Sequence, residues 1–259
     1  MIAVVKVGGS TLEPEPAPAL MAALARARAA GAQVLLVHGG GKALTGLSQR
    51  LGLATQFHRG LRVTDAPTLE AAVMALGGAV NTRLVGALQA AGVAAAGLTG
   101  LDGGSVLARV VAPALGAVGE VTSVNPGLWR LLLDRGFTPV VASLASDGAG
   151  GVLNINADLF AAAAAAALAA ERVLFLTDVE GVLDAAGARL EIAALGALEA
   201  MAAAGALSGG MLPKADACRA ALAGGAARVE ILGPAAAANL DAVLANPLDA
   251  RSAGTRITW

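Results

Sequence analysis

The chain has 259 residues, no tyrosine and a single cysteine. Cys218 therefore has no partner for an internal disulfide. It fits a reducing compartment and reads as a small buried apolar residue. An excess of basic charge is also missing. Eighteen Lys and Arg against nineteen Asp and Glu leave a net charge of −1, which advertises no face to nucleic acid or anionic lipid. Charged residues make up 14% of the chain, so the few that stand beside glycine loops repay individual reading. There are only two histidines, His38 and His58, and both read as structural. A mean hydropathy of +0.70 raises the question of a membrane. The long apolar runs argue against one: Leu84 to Leu101 lacks charge but holds four glycines, a glutamine and a threonine, and Leu159 to Ala170 is short and mostly alanine. Lys6 and the glycines after Val7 interrupt the first apolar run, so no signal peptide is expected. A cytoplasmic protein without a membrane or nucleic-acid partner is the expectation.

Two nucleotide-binding fingerprints are lacking as well. In "VLLVHGGGKAL" (Val34 to Leu44), the Walker pattern fails twice: Leu35 stands where its first glycine belongs, and Ala43 follows Lys42 where a hydroxyl is required. No G-x-G-x-x-G occurs.

What is present is a regular alternation of short β-branched runs and helical segments. Ile2 to Val7, Gln33 to His38, Thr138 to Ser143, Arg172 to Thr177 and Arg228 to Leu232 read as strands. Helices are expected over Ala17 to Ala30, from near Pro67 with Thr64 or Asp65 as cap, after Asn125, over the alanine run from Asn156, and around Lys214 to Ala223. The alanines read as helix surface filled with the best helix former. "LDGGS" (Leu101 to Ser105) and "SDGAGG" (Ser146 to Gly151) read as hairpin turns bounding an antiparallel region. This grammar predicts an α/β fold with a mainly parallel sheet, its strand-end loops gathered on one edge.

That edge collects the candidate residues. Gly39, Gly40 and Gly41 fit either a plain turn or a loop that turns backbone N–H groups toward an anion. "KVGGS" (Lys6 to Ser10) ends a strand at the same edge, and an ammonium inside an apolar strand calls for a nearby anion. Asn154 and Asn156 suit capping or polar ligand contacts, and Asp158 suits the first turn of the following helix or the organisation of nearby lysines. "TDVEGV" (Thr177 to Val182) leaves a strand for a glycine turn, Lys214 begins a helix, and the Arg62 fork suits a carboxylate.

Together, "KVGGS", "VHGGGK", "GLRVTD", "VNPGLW", "NINAD", "TDVEGVL" and "GGMLPKADAC" resemble the amino-acid kinase family in order and spacing, from Val4 to "GTRI" (Gly254 to Ile257). The nearest likeness is to the branch that phosphorylates N-acetyl-L-glutamate in arginine biosynthesis. The resemblance implies a three-layer αβα sandwich in two lobes: residues 1–170 for the acetylated amino acid and for homodimer formation, 171–259 for ATP. It implies that Lys6 and Lys214 stabilise the transferring phosphoryl group, with Asp158 holding both. Gly8, Gly9, Gly40 and Gly41 would offer N–H donors. Arg62, Asn154 and Asn156 would hold the substrate. Asp178, Val179, Glu180, Gly181, Val182, Leu183, Ala206, Leu207 and Ser208 would line the nucleotide site. Mg2+ would arrive with ATP, with no protein metal site, and Lys42 would stand outside the catalytic set. Ile155 replaces a valine frequent in the family. Strand one begins at Ile2, without the extra helix of arginine-inhibited relatives, so a homodimer without arginine feedback is expected. Two other readings are a sister kinase acting on an aminoadipate derivative and a non-catalytic binding module on the same fold. Arg62 argues against the first, and the presence of Lys6, Lys214 and Asp158 against the second.

Overall fold

A computed structural model describes residues 1–8, 11–12, 16–58, 60–184, 186–205 and 211–259, the side chain of Leu212 excepted. The chain opens with β1 (Ile2–Val7), α1 (Pro18–Ala29) and β2 (Gln33–His38), followed by α2 (Gly41–Arg50) and a small hairpin of β3 (Phe57–His58) and β4 (Leu61–Arg62). A long helix then runs over Ala66–Ala90 as α3 (Ala66–Ala72), a π-helical stretch Val73–Val80 and α4 (Asn81–Ala90). Next come β5 (Ala95–Thr99), β6 (Val106–Val110), β7 (Val118–Val124), α5 (Gly127–Asp134), β8 (Thr138–Ala142), β9 (Leu144–Ser146), β10 (Val152–Ile155) and α6 (Ala157–Leu168). The order closes with β11 (Arg172–Leu176), β12 (Ile192–Ala194), α7 (Leu195–Ala203), α8 (Met211–Ala223), β13 (Arg228–Leu232), α9 (Pro234–Ala237), α10 (Leu240–Ala245) and β14 (Thr255–Thr258).

Eight strands form one sheet in the order β12-β14-β13-β11-β1-β2-β8-β5. All neighbours run parallel except β13 and β14. Side-chain alternation divides the core in two. Val4, Leu35 and Val37 pack with Trp129 of α5, Phe160 of α6 and Cys218 of α8. Ala3, Val5 and Leu36 pack on the other face with Leu24 of α1, Leu84 of α4 and Leu240 of α10. These are the three layers the alternating pattern predicts.

The remaining longer strands close into a small barrel, β10-β7-β6-β9, and β6 and β7 are antiparallel as expected. Ser146 to Gly151 does turn between antiparallel strands, β9 and β10. Leu101 to Ser105 does not form the expected hairpin. Asp102 accepts from both the N–H and the hydroxyl of Thr99, curling the chain into a tight turn that carries it from the main sheet into the barrel. Asn125 was expected to cap α5. Pro126 holds that position instead, and Asn125 Oδ1 accepts from the Gly127 N–H, one residue early.

The alanines of α6 are a second correction. Ala161, Ala162, Ala164 and Ala165 are buried, not surface. Short side chains let α6 lie close against the sheet and α8. At Gly224, just past α8, an added Cβ would come within 2.6 Å of Ala166 Cβ. By length and composition, the helix Ala66–Ala90 is long and apolar enough to cross a membrane, and 44% of its most apolar window is buried inside the fold. The uncharged run Leu84 to Leu101 spans the end of α4 and the strand β5.

Two arginines start buried strands at the edge opposite the glycine loops. Arg172 donates to the carbonyls of Val243 and Asn246. Arg228 donates to those of Pro247, Leu248 and Ala250 and forms a 2.8 Å ion pair with Glu230, which also accepts from the Ser252 hydroxyl. The chain from α10 into β14 is thus tied down from beneath. At the other end of that segment the buried Thr255 hydroxyl accepts from the Val182 N–H and donates to the Leu190 carbonyl.

Candidate active site

Lys6 shares the parity of Val4 in β1, so its side chain faces the α6 layer. Asp158 stands in the first turn of α6, where Asn156 caps the helix by accepting from the N–H groups of Asp158 and Leu159. Lys214 comes from the first turn of α8. Both ammoniums reach the same carboxylate oxygen: Lys6 Nζ lies 3.1 Å from Asp158 Oδ1 and Lys214 Nζ 3.0 Å. Lys214 Nζ also sits 5.5 Å from the centre of the Phe175 ring.

The electrostatics of this triad are set by burial. Desolvation works against ionisation of Asp158, but the two lysines and their hydrogen bonds outweigh it and hold its carboxyl below the usual range. Burial, joined by the charge of Lys6, pushes the Lys214 ammonium down, while Asp158 pulls it back. One carboxylate oxygen thus holds two cations, which leaves the triad with an excess of positive charge. Gly8 leaves room for this: a Cβ there would lie 3.0 Å from Lys6 Nζ. Burial also pushes the Cys218 thiol up to about 12, so it is an inert neighbour.

A cavity of about 600 Å³ opens beside the triad. Lys6, Gly8, Gly39, Gly40, Gly41, Arg62, Asn154, Asn156 and Asp158 are among the residues that line it. Gly40 caps α2, so the positive end of that helix faces the cavity. A Cβ on Gly40 would meet Leu76 Cδ2 at 2.7 Å, which explains a glycine there. Arg62 lies against Phe57, 4.8 Å from the ring centre, and donates to Thr45 Oγ1 at 2.7 Å and to the Gly41 carbonyl at 3.2 Å. Asn154 donates to Thr64, whose hydroxyl donates to the Arg62 carbonyl, so Asn154 and Arg62 belong to one connected wall.

Most of the residues singled out in the sequence therefore meet in one place. Lys214 joins through Asp158. Lys42, set aside in the sequence, lies on the cavity wall, as do Thr45 and Leu76, which no motif had marked. Asp178 to Leu183 do not line the cavity. They follow β11, the neighbour of β1, and so leave the same sheet edge one strand away. Val182 is buried with its N–H on Thr255, which makes it part of the loop's support. Gly9, Ala206, Leu207 and Ser208 lie outside the described residues. Among the described residues no group of three His, Cys, Asp or Glu gathers as a metal site.

Residues 1–233 match the model of the amino acid kinase family. An acetylglutamate kinase of Acidobacterium capsulatum is 45% identical over 240 residues, covering 92% of each chain. That of Koribacter versatilis is 43% identical over 251 residues, covering 95% of each. The crystal structure of smu.665 from Streptococcus mutans superposes with a TM-score of 0.85 at 30% identity, over 99% of this chain and 98% of that one. With two lysines on one buried carboxylate, glycine loops at the same sheet edge and relatives of this closeness over nearly its whole length, the chain belongs to the amino acid kinase family.

Proposed function

We propose that this enzyme transfers the γ-phosphoryl group of ATP to the side-chain carboxylate of N-acetyl-L-glutamate, giving N-acetyl-L-glutamyl 5-phosphate and ADP, as a step of arginine biosynthesis. The observation that carries this reading is the Asp158 bridge between Lys6 and Lys214, with Lys6 and Asp158 lining the same cavity as the glycine loop and Arg62. The full-length likeness to acetylglutamate kinases supports the choice of acceptor.

The chemistry follows from charge. A carboxylate is already ionised at neutral pH, so its oxygen attacks the γ-phosphorus without a general base while the bond to the bridging oxygen breaks and ADP leaves. The obstacle is bringing two anions together. Lys6 and Lys214 offset the charge gathering on the transferring group, and Asp158 keeps both in register. Gly8, Gly40 and Gly41 present backbone donors, Arg62 takes the α-carboxylate of the acceptor, and Asn154 and Asn156 take its neighbouring polar atoms. Mg2+ would add positive charge at the nucleotide phosphates. Asp158, the carboxylate among the described cavity-lining residues, is occupied by two ammoniums, so the ion would come held by the nucleotide rather than by a protein cage.

Residues 1–170 take the acceptor and 171–259 the nucleotide in this scheme, with Asp178 to Leu183 along the nucleotide. Residues 1–170 also carry the dimer contact. Met74 and Val73 are exposed on the long helix beside the edge strand β5, an apolar face suited to a second copy. A monomer mass by sedimentation at micromolar concentration would argue against it.

Trapping the acyl phosphate with hydroxylamine tests the reaction. N-acetyl-L-glutamate is expected to outrun N-acetyl-L-aminoadipate, and the reverse order refutes the assigned acceptor. In the same assay Arg62→Ala raises the KM for the amino acid about tenfold or more, with kcat changed far less, as expected for loss of a charged hydrogen bond. An unchanged KM removes Arg62 from the acceptor site.

A further inference from the structure

His38 is buried at the last position of β2, directly before the glycine loop, and the phosphoryl transfer above gives it no task. Its parity in β2 is that of Val34 and Leu36, so it faces the layer of α4 and not the triad. Its ring has two partners. Nδ1 lies 2.7 Å from the carbonyl of Gly39, and Nε2 lies 2.9 Å from Nδ2 of Asn81. Asn81 is the first residue of α4, directly after the π-helical stretch, a kind of irregularity that recurs at functional sites.

These contacts fix the ring completely. The Asn81 amide nitrogen also donates to the carbonyl of Val140 at 2.9 Å and approaches that of Leu98 at 3.3 Å. Two carbonyls accept only, so this end of the Asn81 side chain is the donor NH2 group. Facing that donor, Nε2 of His38 must be an acceptor. Facing a carbonyl, Nδ1 must carry the hydrogen. The ring is therefore neutral, in the Nδ1–H form. Burial acts in the same direction, taking the pKa of His38 down to about 4. Gly97 makes this possible by having no side chain: a Cβ there would lie 2.1 Å from Asn81 Oδ1.

The consequence lies in the loop. Gly39, Gly40 and Gly41 line the cavity, and each carbonyl there is a negative dipole end that would repel an anionic acceptor. All three are taken by the protein. Gly40 O accepts from the Leu44 N–H and Gly41 O from Thr45 and Arg62. Gly39 O is drawn inward by the buried ring of His38.

We propose that His38, oriented by Asn81, is a positioning residue that turns the Gly39 carbonyl away from the acceptor so that the glycine loop meets the substrate with N–H donors alone. This rests on the reading that the loop holds the acceptor. The ring's tautomer is measurable without it, because the chain has two histidines.

Nitrogen-15 NMR of histidine-labelled protein at pH 7, assigned with His58→Gln, is expected to show His38 protonated at Nδ1 and bare at Nε2. A ring protonated at Nε2 overturns the proposal whatever the acceptor proves to be. Steady-state kinetics supply the second readout. His38→Asn places an amide donor near the position of Nδ1, whereas His38→Gln places it near Nε2. The KM for N-acetyl-L-glutamate is expected to stay within about threefold of wild type in His38→Asn and to rise about tenfold or more in His38→Gln, with the KM for ATP within about twofold in both. Equal acceptor KM values in the two variants overturn the positioning role. Should His38→Gln fail to fold, a tenfold rise in His38→Asn does the same.

Discussion

Lys6→Ala and Lys214→Met each lower kcat by at least about 10²-fold, the scale on which losing one preorganised donor to a developing charge is felt. The Lys214 replacement keeps the side chain's bulk, because Lys214 is nearly enclosed and a smaller residue would leave a hole in the core. Neither change unfolds the protein. In each variant Asp158 keeps one ammonium at about 3 Å, so no buried charge is stranded. The double variant loses little more than either single one, since the two cations act as a unit on one phosphoryl group. Asp158→Asn differs in kind: it leaves two ammoniums side by side with no anion between them, and is expected to lower both activity and stability. Single-turnover phosphoryl transfer alongside thermal melting separates these cases. A kcat within threefold of wild type in Lys6→Ala or Lys214→Met, with the protein folded, refutes the catalytic assignment.

Arg228→Met is expected to lower the unfolding free energy by about 3–5 kcal/mol without touching the cavity. Arg228 and Glu230 are both almost fully buried, and the arginine donates to the carbonyls of Pro247, Leu248 and Ala250. Removing it strands the Glu230 carboxylate in the interior, which is the larger part of the cost. Arg228→Met combined with Glu230→Leu therefore recovers part of the loss. It does not recover all of it, because the loop carbonyls still lose the hydrogen bonds from the guanidinium. Urea unfolding of the two variants makes the comparison, and a single variant within 1 kcal/mol of wild type would show that the pair contributes little. The acceptor KM should not move, since these residues sit at the opposite edge of the sheet from the glycine loops.

Much of this molecule was legible in its sequence, for reasons that can be named. The strand Arg228–Leu232 was read to the residue because a β-branched run between a glycine pair and a Gly-Pro has little else to be. The sheet edge was legible because parallel strands must send their following loops one way. Other features were not. The alanines of α6 read the same on a wet helix face as in a tight helix–helix seam, since alanine favours both. Asn81 was invisible: a lone asparagine in a long apolar helix belongs to no motif, and only the fold brings His38 to it. The burial of Arg172 and Arg228 was not legible, because nothing local announces that a later loop will cover them. Thr45 was missed because it serves Arg62 through a contact made only when α2 and β4 are assembled.

The place of β14 in the sheet bears on how the chain is made. It lies between β12 and β13, both of which precede it in the sequence. As the ribosome extends the chain, β13 must wait with one row of backbone donors and acceptors unmatched, and β12 waits for the strand that joins it to the sheet. A nascent edge of this kind is the surface at which neighbouring chains stick to one another. Thr255 arrives on the same strand and ties Val182 to Leu190. Closing the gap in the sheet and fixing the loop after β11 are therefore one event in synthesis, so a nascent chain competent in that loop is also one whose exposed edge has already been covered.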